Sequence, residues 1–293
     1  MAFRFKPSAR DLGAELRRVA ADQVRRARRA ASDDASDPHE AVHDLRKRCK
    51  KLRGLIRLVR PGFVDYGQEN AAIRDFARSL SGLRDLEALV ETHDALMRDV
   101  GDEKHRFAPV RAQLTRARSA VDVRIGDTQR AGLEALATRI AGWRVEGDPA
   151  KVLEKGLALT WKRAARAHEK ARAAPTVAMM HEWRKRTKYH WHHCCLLERG
   201  WPAQMAPRAA EAKRLSDLLG DHHDLALYME YLGSGNAPRL DPEASRALSA
   251  HVDRRIGMLE REAFSLGARF FAEKPAAAAK RIVAWWEIAR REG

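Results

Sequence analysis

The sequence predicts an all-α protein made of two related helical halves. Three observations carry this. Ala, Leu, Arg and Glu dominate, and apolar residues recur at helical spacing while strict alternation is scarce. One stretch occurs twice, as His43-Asp44-Leu45-Arg46-Lys47-Arg48-Cys49-Lys50 and His181-Glu182-Trp183-Arg184-Lys185-Arg186-Thr187-Lys188, 138 positions apart. A second block, Leu80-Ser81-Gly82-Leu83-Arg84-Asp85-Leu86, returns as Leu219-Gly220-Asp221-His222-His223-Asp224-Leu225 at an offset of 139. A chance basic helix would not bring the second block with it, so the chain reads as an internal duplication. The expected architecture is a single domain of two four-helix-type bundles, 1–146 and 147–293, related by a pseudo-twofold axis. Each half lends one basic helix to a shared surface.

Each element has a local reason. The first helix is expected over 8–31, with Leu12, Leu16, Val19 and Val24 on one side and Arg17, Arg18, Arg25 and Arg26 elsewhere. Ser32 to Pro38 is a loop. Asp37 caps the next helix, with Pro38 in its first turn and Glu40 at the capping-box position, and Pro61-Gly62 follows its end. One long helix is expected over 65–98, then helices over 104–124 and 127–142. Gly147-Asp148-Pro149 marks the seam, with Asp148 as a cap. The second half is expected to run as helices over 149–173, 176–199, 203–233, 241–273 and 275–291. Pro175, Gly200-Trp201-Pro202, the loop 233–238 and Pro275 separate them. Trp285 and Trp286 are expected to seal the last helix onto the body.

A helix advances about 100° per residue, so positions +3, +4, +7 and +11 return near the start. In the first copy that row is His43, Arg46, Lys47 and Lys50, continued by Arg57. In the second it is His181, Arg184, Lys185, Lys188 and His192. Each helix thus presents a basic ridge led by a histidine, which suits a line of negative charge. Lys162, Arg163 and Arg166 are spaced as a further basic stripe.

Composition agrees. The 293 residues carry a net charge of +16 with 45% hydrophobic residues, enough for a real core and a basic excess that points to a polyanionic partner. Nucleic acid, an anionic membrane and polyphosphate are the candidate partners, against the plainer reading of a scattered basic surface. Three cysteines, Cys49, Cys194 and Cys195, imply no disulfide framework and fit a reducing cytoplasm. Met1 to Lys6 lacks a signal-peptide apolar region, and no run of about 18 apolar residues suggests a membrane span.

The motifs His43-x-x-Arg46-Lys47-x-x-Lys50-Lys51-x-Arg53, Gly82-x-Arg84-Asp85, His181-x-x-Arg184-Lys185-x-x-Lys188 and Gly220-Asp221-His222-His223-Asp224 together resemble the CHAD family, the conserved-histidine α-helical domain. The resemblance covers nearly the whole chain. It implies two four-helix bundles about a basic central channel that binds inorganic polyphosphate, with association to polyphosphate granules in some members. One departure is Trp191, which stands where the first copy has Arg53. His192, one position on, is expected to take part of that role. Family members are often fused to a triphosphate-tunnel domain marked by Glu-x-Glu-x-Lys. This sequence has no such segment, so a stand-alone binding module without catalysis is expected.

Polyphosphate has no base edges to read, so its site needs a continuous line of charge-assisted donors. Arginine supplies planar forks and lysine mobile point charges. Histidine adds ring N–H donors, and a nearby anion favours its imidazolium. Binding is therefore expected to weaken with salt and to strengthen as pH falls towards 6. Arg84 and His223 are expected to face the anion, and Arg18, Lys162, Arg163 and Arg166 to make outer contacts. Asp85 and Asp224 have the wrong sign for phosphate and are expected to orient ridge side chains. The plainer readings are solvated helix faces for the cations and core histidines for His43 and His181.

Two other chemistries were weighed on the residues. His190, His192, His193, Cys194, Cys195, His222 and His223 form a metal-like cluster, but the spacing does not follow C-x₂₋₄-C or H-x₃₋₅-H sites, so no metal or cofactor is expected. His-Asp pairs at 43–44, 93–94 and 223–224 lack the further ordered ligands of a metal-dependent phosphohydrolase. RNA or DNA binding is the rival from another class; charge permits it, but the ridges carry few exposed aromatics for stacking.

Overall fold

A computed structural model describes residues 3–9, 11–33, 37–80, 85–121 and 124–292, with Asp85 described by its backbone alone. The chain is all-α, with no strand among the described residues and one isolated bridge pairing Phe63 with Val145. Helix α1 runs Leu12–Ala31, later than expected, because Asp11 ends the preceding segment by capping: its carboxylate accepts from the Gly13 N–H at 2.8 Å. Helix α2 runs Pro38–Leu58, with the Asp37 carboxylate accepting from the His39 N–H. The expected long helix over 65–98 is two, α3 Tyr66–Ser79 and α4 Asp85–Val100. At the end of α3, the Leu80 carbonyl accepts from Arg46 Nη1 at 2.9 Å. The expected helix over 104–124 is also divided. Gly101, at φ +73°, stops α4, a 3₁₀ segment Gly101–Phe107 follows, and α5 is Ala108–Ser119.

The remaining helices are α6 Asp127–Ala141, α7 Pro149–Ala173, α8 Val177–Leu197, α9 Pro202–Leu232, α10 Pro242–Phe270 and α11 Pro275–Glu292. Asp148, Thr176 and Asp241 cap α7, α8 and α10 through their side chains.

The halves share cores. The largest joins Leu16 and Val19 of α1, Leu52 and Leu55 of α2, Leu153 and Leu157 of α7, Cys194 and Leu196 of α8, and Ile282 and Trp286 of α11. A second places Val90, Phe107 and Leu114 against Leu225, Tyr228, Leu248 and Val252, so the α4–α5 hairpin of the first half packs on α9 and α10 of the second. His93 Nδ1 meets the Tyr228 hydroxyl at 2.7 Å within that interface.

Two features position the basic ridges. Val42, Leu45, Cys49, Leu52, Leu55 and Ile56 bury one face of α2, which turns the opposite face outward. Each buried Leu or Ile contributes about 1.5–3 kcal/mol, so the orientation is firmly set. Helix α8 then crosses α2 at Gly54. A Cβ there would stand 2.5 Å from His192 Nδ1, and the Gly54 carbonyl lies 2.9 Å from His193 Nε2. Glycine permits this close approach, and the crossing divides the basic row of α2 in two.

Candidate functional site

On one side of the crossing lies a cleft of about 790 Å³. His43, Arg46, Lys47, Lys50 and Lys51 line it from α2, and Arg184, Lys188, Trp191 and His192 from α8. Helix α9 contributes Lys213, His223, Asp224, Leu227 and Tyr231, and α4 contributes Ala88, Leu89 and Glu91. The two duplicated stretches therefore face one space, because the α2–α8 crossing brings them together and α4 and α9 wall the other side.

Arg184 is the best-placed donor. Its guanidinium lies over Gly220, about 3.5 Å from where a Cβ would stand, and among the described residues its buried Nε has no hydrogen-bond acceptor. Arg46 keeps one nitrogen on the Leu80 carbonyl, which holds the rest of its fork at the cleft. Lys51 and Lys188 are anchored by aromatic faces, Lys51 Nζ 5.3 Å from the Phe3 centroid and Lys188 Nζ 5.8 Å from that of Trp191. Trp191, the departure from the first copy, thus supports a lysine.

Sequence reasoning missed two things. Lys213 joins the cations from α9, outside both repeated stretches. Glu91, Asp217 and Glu230 also line the cleft beside the expected Asp224, so it has a basic wall and an acidic rim. Lys213 is itself paired with Asp217 one turn on. These residues reach the cleft through tertiary packing of α4 and α9, which no local spacing announces.

Several expected ligands stand elsewhere. Arg18 is held by Glu15 at 2.7 Å and by the Arg4 carbonyl at 2.8 Å. Arg53 turns to Asn70 on α3. Arg57 continues the α2 row but lies beyond the crossing, stacked 4.2 Å from the Tyr189 centroid, and Arg163 shares that side. Lys162 and Arg166 are exposed on α7 and do not line the cleft. Lys185 is paired with Glu182 at 2.7 Å and His181 sits next to His223, 4.2 Å between ring centroids; neither lines the cleft directly. Arg84 and the Asp85 side chain lie outside the described residues. Asp224 lines the cleft and its charge favours the Lys188 ammonium, in keeping with an orienting role.

The histidines of the free protein hold no charge near pH 6, so a gain of affinity there requires the bound anion to raise them. Burial pushes His181 and His223 down to about 4, reinforced at His181 by His223, Lys185 and Arg184 and at His223 by Arg184, His222, Lys50 and Lys185. Burial also holds His192 well below the ordinary range. In the free protein these three are neutral at pH 6, and His192 is floor packing against Phe3 and Gly54.

The group that titrates usefully is Lys188. Burial, then Arg184, brings it down to about 8, against the opposing pull of Asp217 and Asp224. A bound anion favours the ammonium, so binding takes up a proton once pH exceeds 8. Polyanion affinity is accordingly full below pH 8 and falls as pH rises, by up to about tenfold per unit through this lysine. Titration at pH 7.5 and 9.5 checks this, with Lys188→Met expected to flatten the profile; an equal fall in the variant contradicts it. Stability of the free chain has the opposite sign. The unfolded lysine keeps its proton up to its ordinary value of 10.5, so stability rises between pH 8 and 10.5.

The metal-like cluster is not assembled. His193 Nε2 faces the Gly54 carbonyl, His190 Nε2 lies 3.5 Å from Cys194 Sγ, and His222 Nε2 meets Glu260 at 3.0 Å. No group of three His, Cys, Asp or Glu suited to a metal occurs among the described residues. The His-Asp pairs are likewise apart: His93 is buried on Tyr228, Asp94 pairs with Arg111, and Asp44 pairs with Arg48.

Burial pushes Cys49 and Cys194 up to about 12 and Cys195 to about 11. A thiol reagent at pH 8 is expected to label Cys49 and Cys194, the two fully buried thiols, only as the chain unfolds. Fast labelling of either under native conditions contradicts this.

The fold and cleft define a class, an all-helical chain whose two repeated, histidine-led helices line one basic cleft. The CHAD domain profile matches residues 12–233, and the chain belongs to that family. No curated protein matches it. Among the described residues no helix is long and apolar enough to cross a membrane.

Proposed function

We propose that this chain is an inorganic polyphosphate-binding module, acting without catalysis of its own and serving to hold the polymer or to bring the protein to polyphosphate granules. The observation that carries the reading is the cleft itself: Arg46, Lys47, Lys50, Lys51, Arg184, Lys188 and Lys213 lie along one opening, and the buried Nε of Arg184 has no acceptor among the described residues. Holding so many like charges together is costly unless a polyanion compensates them. From His43 to Lys51 the α2 wall runs about 12 Å, long enough for a linear anion rather than a single phosphate. The acidic rim repels whatever strays from the α2–α8 wall, so the polymer is confined to one lane. CHAD membership supports the same partner.

RNA fits less well. Trp191 is covered by Lys188, and Tyr231 and Leu227 share their side of the cleft with Glu230. That leaves no row of free aromatic faces for bases. A filter-binding competition with long-chain polyphosphate, RNA and poly-glutamate tests the assignment. Polyphosphate is expected to displace both others, and binding to weaken with salt. Equal or stronger retention of RNA overturns it.

A further inference from the structure

On the opposite side of the α2–α8 crossing, four arginines converge from three helices. Arg57 comes from α2 and Arg60 stands just past its end, Arg163 comes from α7, and Arg186 from α8; Thr160 and Tyr189 complete a small groove. Among the described residues Arg57, Arg60 and Arg163 have no carboxylate partner, and Arg186 shares Glu182, at 2.6 Å, with Lys185. Tyr189 lines the groove under Arg57, and Tyr66, outside its lining, lies under Arg60 at 4.6 Å. Arg57 donates one N–H to the Arg53 carbonyl at 3.0 Å, while its buried Nε has no acceptor among the described residues. Half-buried cations of one sign, with stacking but little counter-charge, leave the groove strongly positive.

We propose that Arg57, Arg60, Arg163 and Arg186 form a second, independent site for a single phosphate-type oxyanion. The chemistry follows from the side chains. Guanidinium forks match tetrahedral oxyanions in pairs, aromatic backing fixes their planes, and the groove is too small for a polymer segment. About 10 Å of α2 separates Lys50 from Arg57, and the packed Gly54–His192 contact lies between them, so the groove is distinct from the cleft. Its occupant is either free orthophosphate or the terminal phosphate of a chain that passes around the crossing. The inference stands whether or not the cleft binds polyphosphate.

Equilibrium dialysis of labelled orthophosphate against the full chain tests it with three double variants. Arg60→Gln/Arg186→Gln is expected to weaken orthophosphate binding at least about tenfold. Arg46→Ala/Arg184→Ala in the cleft, and the exposed pair Arg290→Gln/Arg291→Gln, are expected to leave it within a factor of two, with one phosphate bound per chain. No saturable orthophosphate binding by the wild type overturns the proposal, as does equal weakening by all three variants or loss with the cleft variant alone. Long-chain polyphosphate then distinguishes the sources. Weaker binding of long chains in the groove variant assigns the site to the polymer's end, and unchanged binding assigns it to free phosphate.

Discussion

Arg46→Ala/Arg184→Ala is expected to lower the affinity for long-chain polyphosphate by about 10²- to 10⁴-fold, because each truncated charge-assisted contact is worth about 1.5–3 kcal/mol. The pair is chosen for its placement: one arginine comes from each repeated stretch, and both line the same opening. Arg184 carries the larger share, since its buried Nε has no acceptor among the described residues. Arg46 also holds the Leu80 carbonyl, so its truncation frees a buried acceptor and costs some stability. Arg46→Lys/Arg184→Lys separates charge from geometry; it retains the charge, loses the fork, and is expected to fall between wild type and the alanine pair. A melting curve for each variant shows whether lost binding is lost folding. An affinity within threefold of wild type in a folded alanine variant removes the cleft from the account.

The largest expected effect on stability is at Gly156. A Cβ there would meet the Leu58 carbonyl oxygen at 1.7 Å and its carbonyl carbon at 2.7 Å, backbone atoms at the end of α2 that cannot rotate away. Gly156→Ala must therefore push α7 off α2, disturbing the core shared by Leu52, Leu55, Leu153 and Leu157. The expected cost is about 3 kcal/mol or more, at or beyond the upper range for overpacked cores. Denaturant unfolding of the variant measures it. Polyphosphate affinity should fall too, because α2 carries five cleft residues and α7 fixes its far end. A stability change below about 1 kcal/mol indicates that the helices separate easily.

Most of the helices were legible because their boundaries are chemical. Asp37-Pro38 and Asp148-Pro149 announce starts, and the structure places α2 and α7 there. The apolar period of α2 also fixed which side of it faces outward, so His43, Arg46, Lys47 and Lys50 could be read as one row and do line one cleft. What local spacing cannot show is where two helices cross. Gly54 is an unremarkable glycine in the sequence, yet the crossing it permits sends Arg57 into a different groove from Lys50. The break at Leu80 was hidden for the same reason, since the group that takes its carbonyl is 34 residues away in α2. Lys213 and the acidic rim belong to helices brought in by the shared core, and the neutral histidines owe their state to burial that appears only after packing.

A crystal structure of the chain with long-chain polyphosphate tests the central claim most directly. The account predicts a row of phosphates along the α2–α8 wall, within hydrogen-bonding distance of Arg46, Lys50, Arg184 and Lys188 and clear of Glu91 and Glu230. Phosphates bound only at other surfaces, with that wall bare at saturating polymer, contradict it.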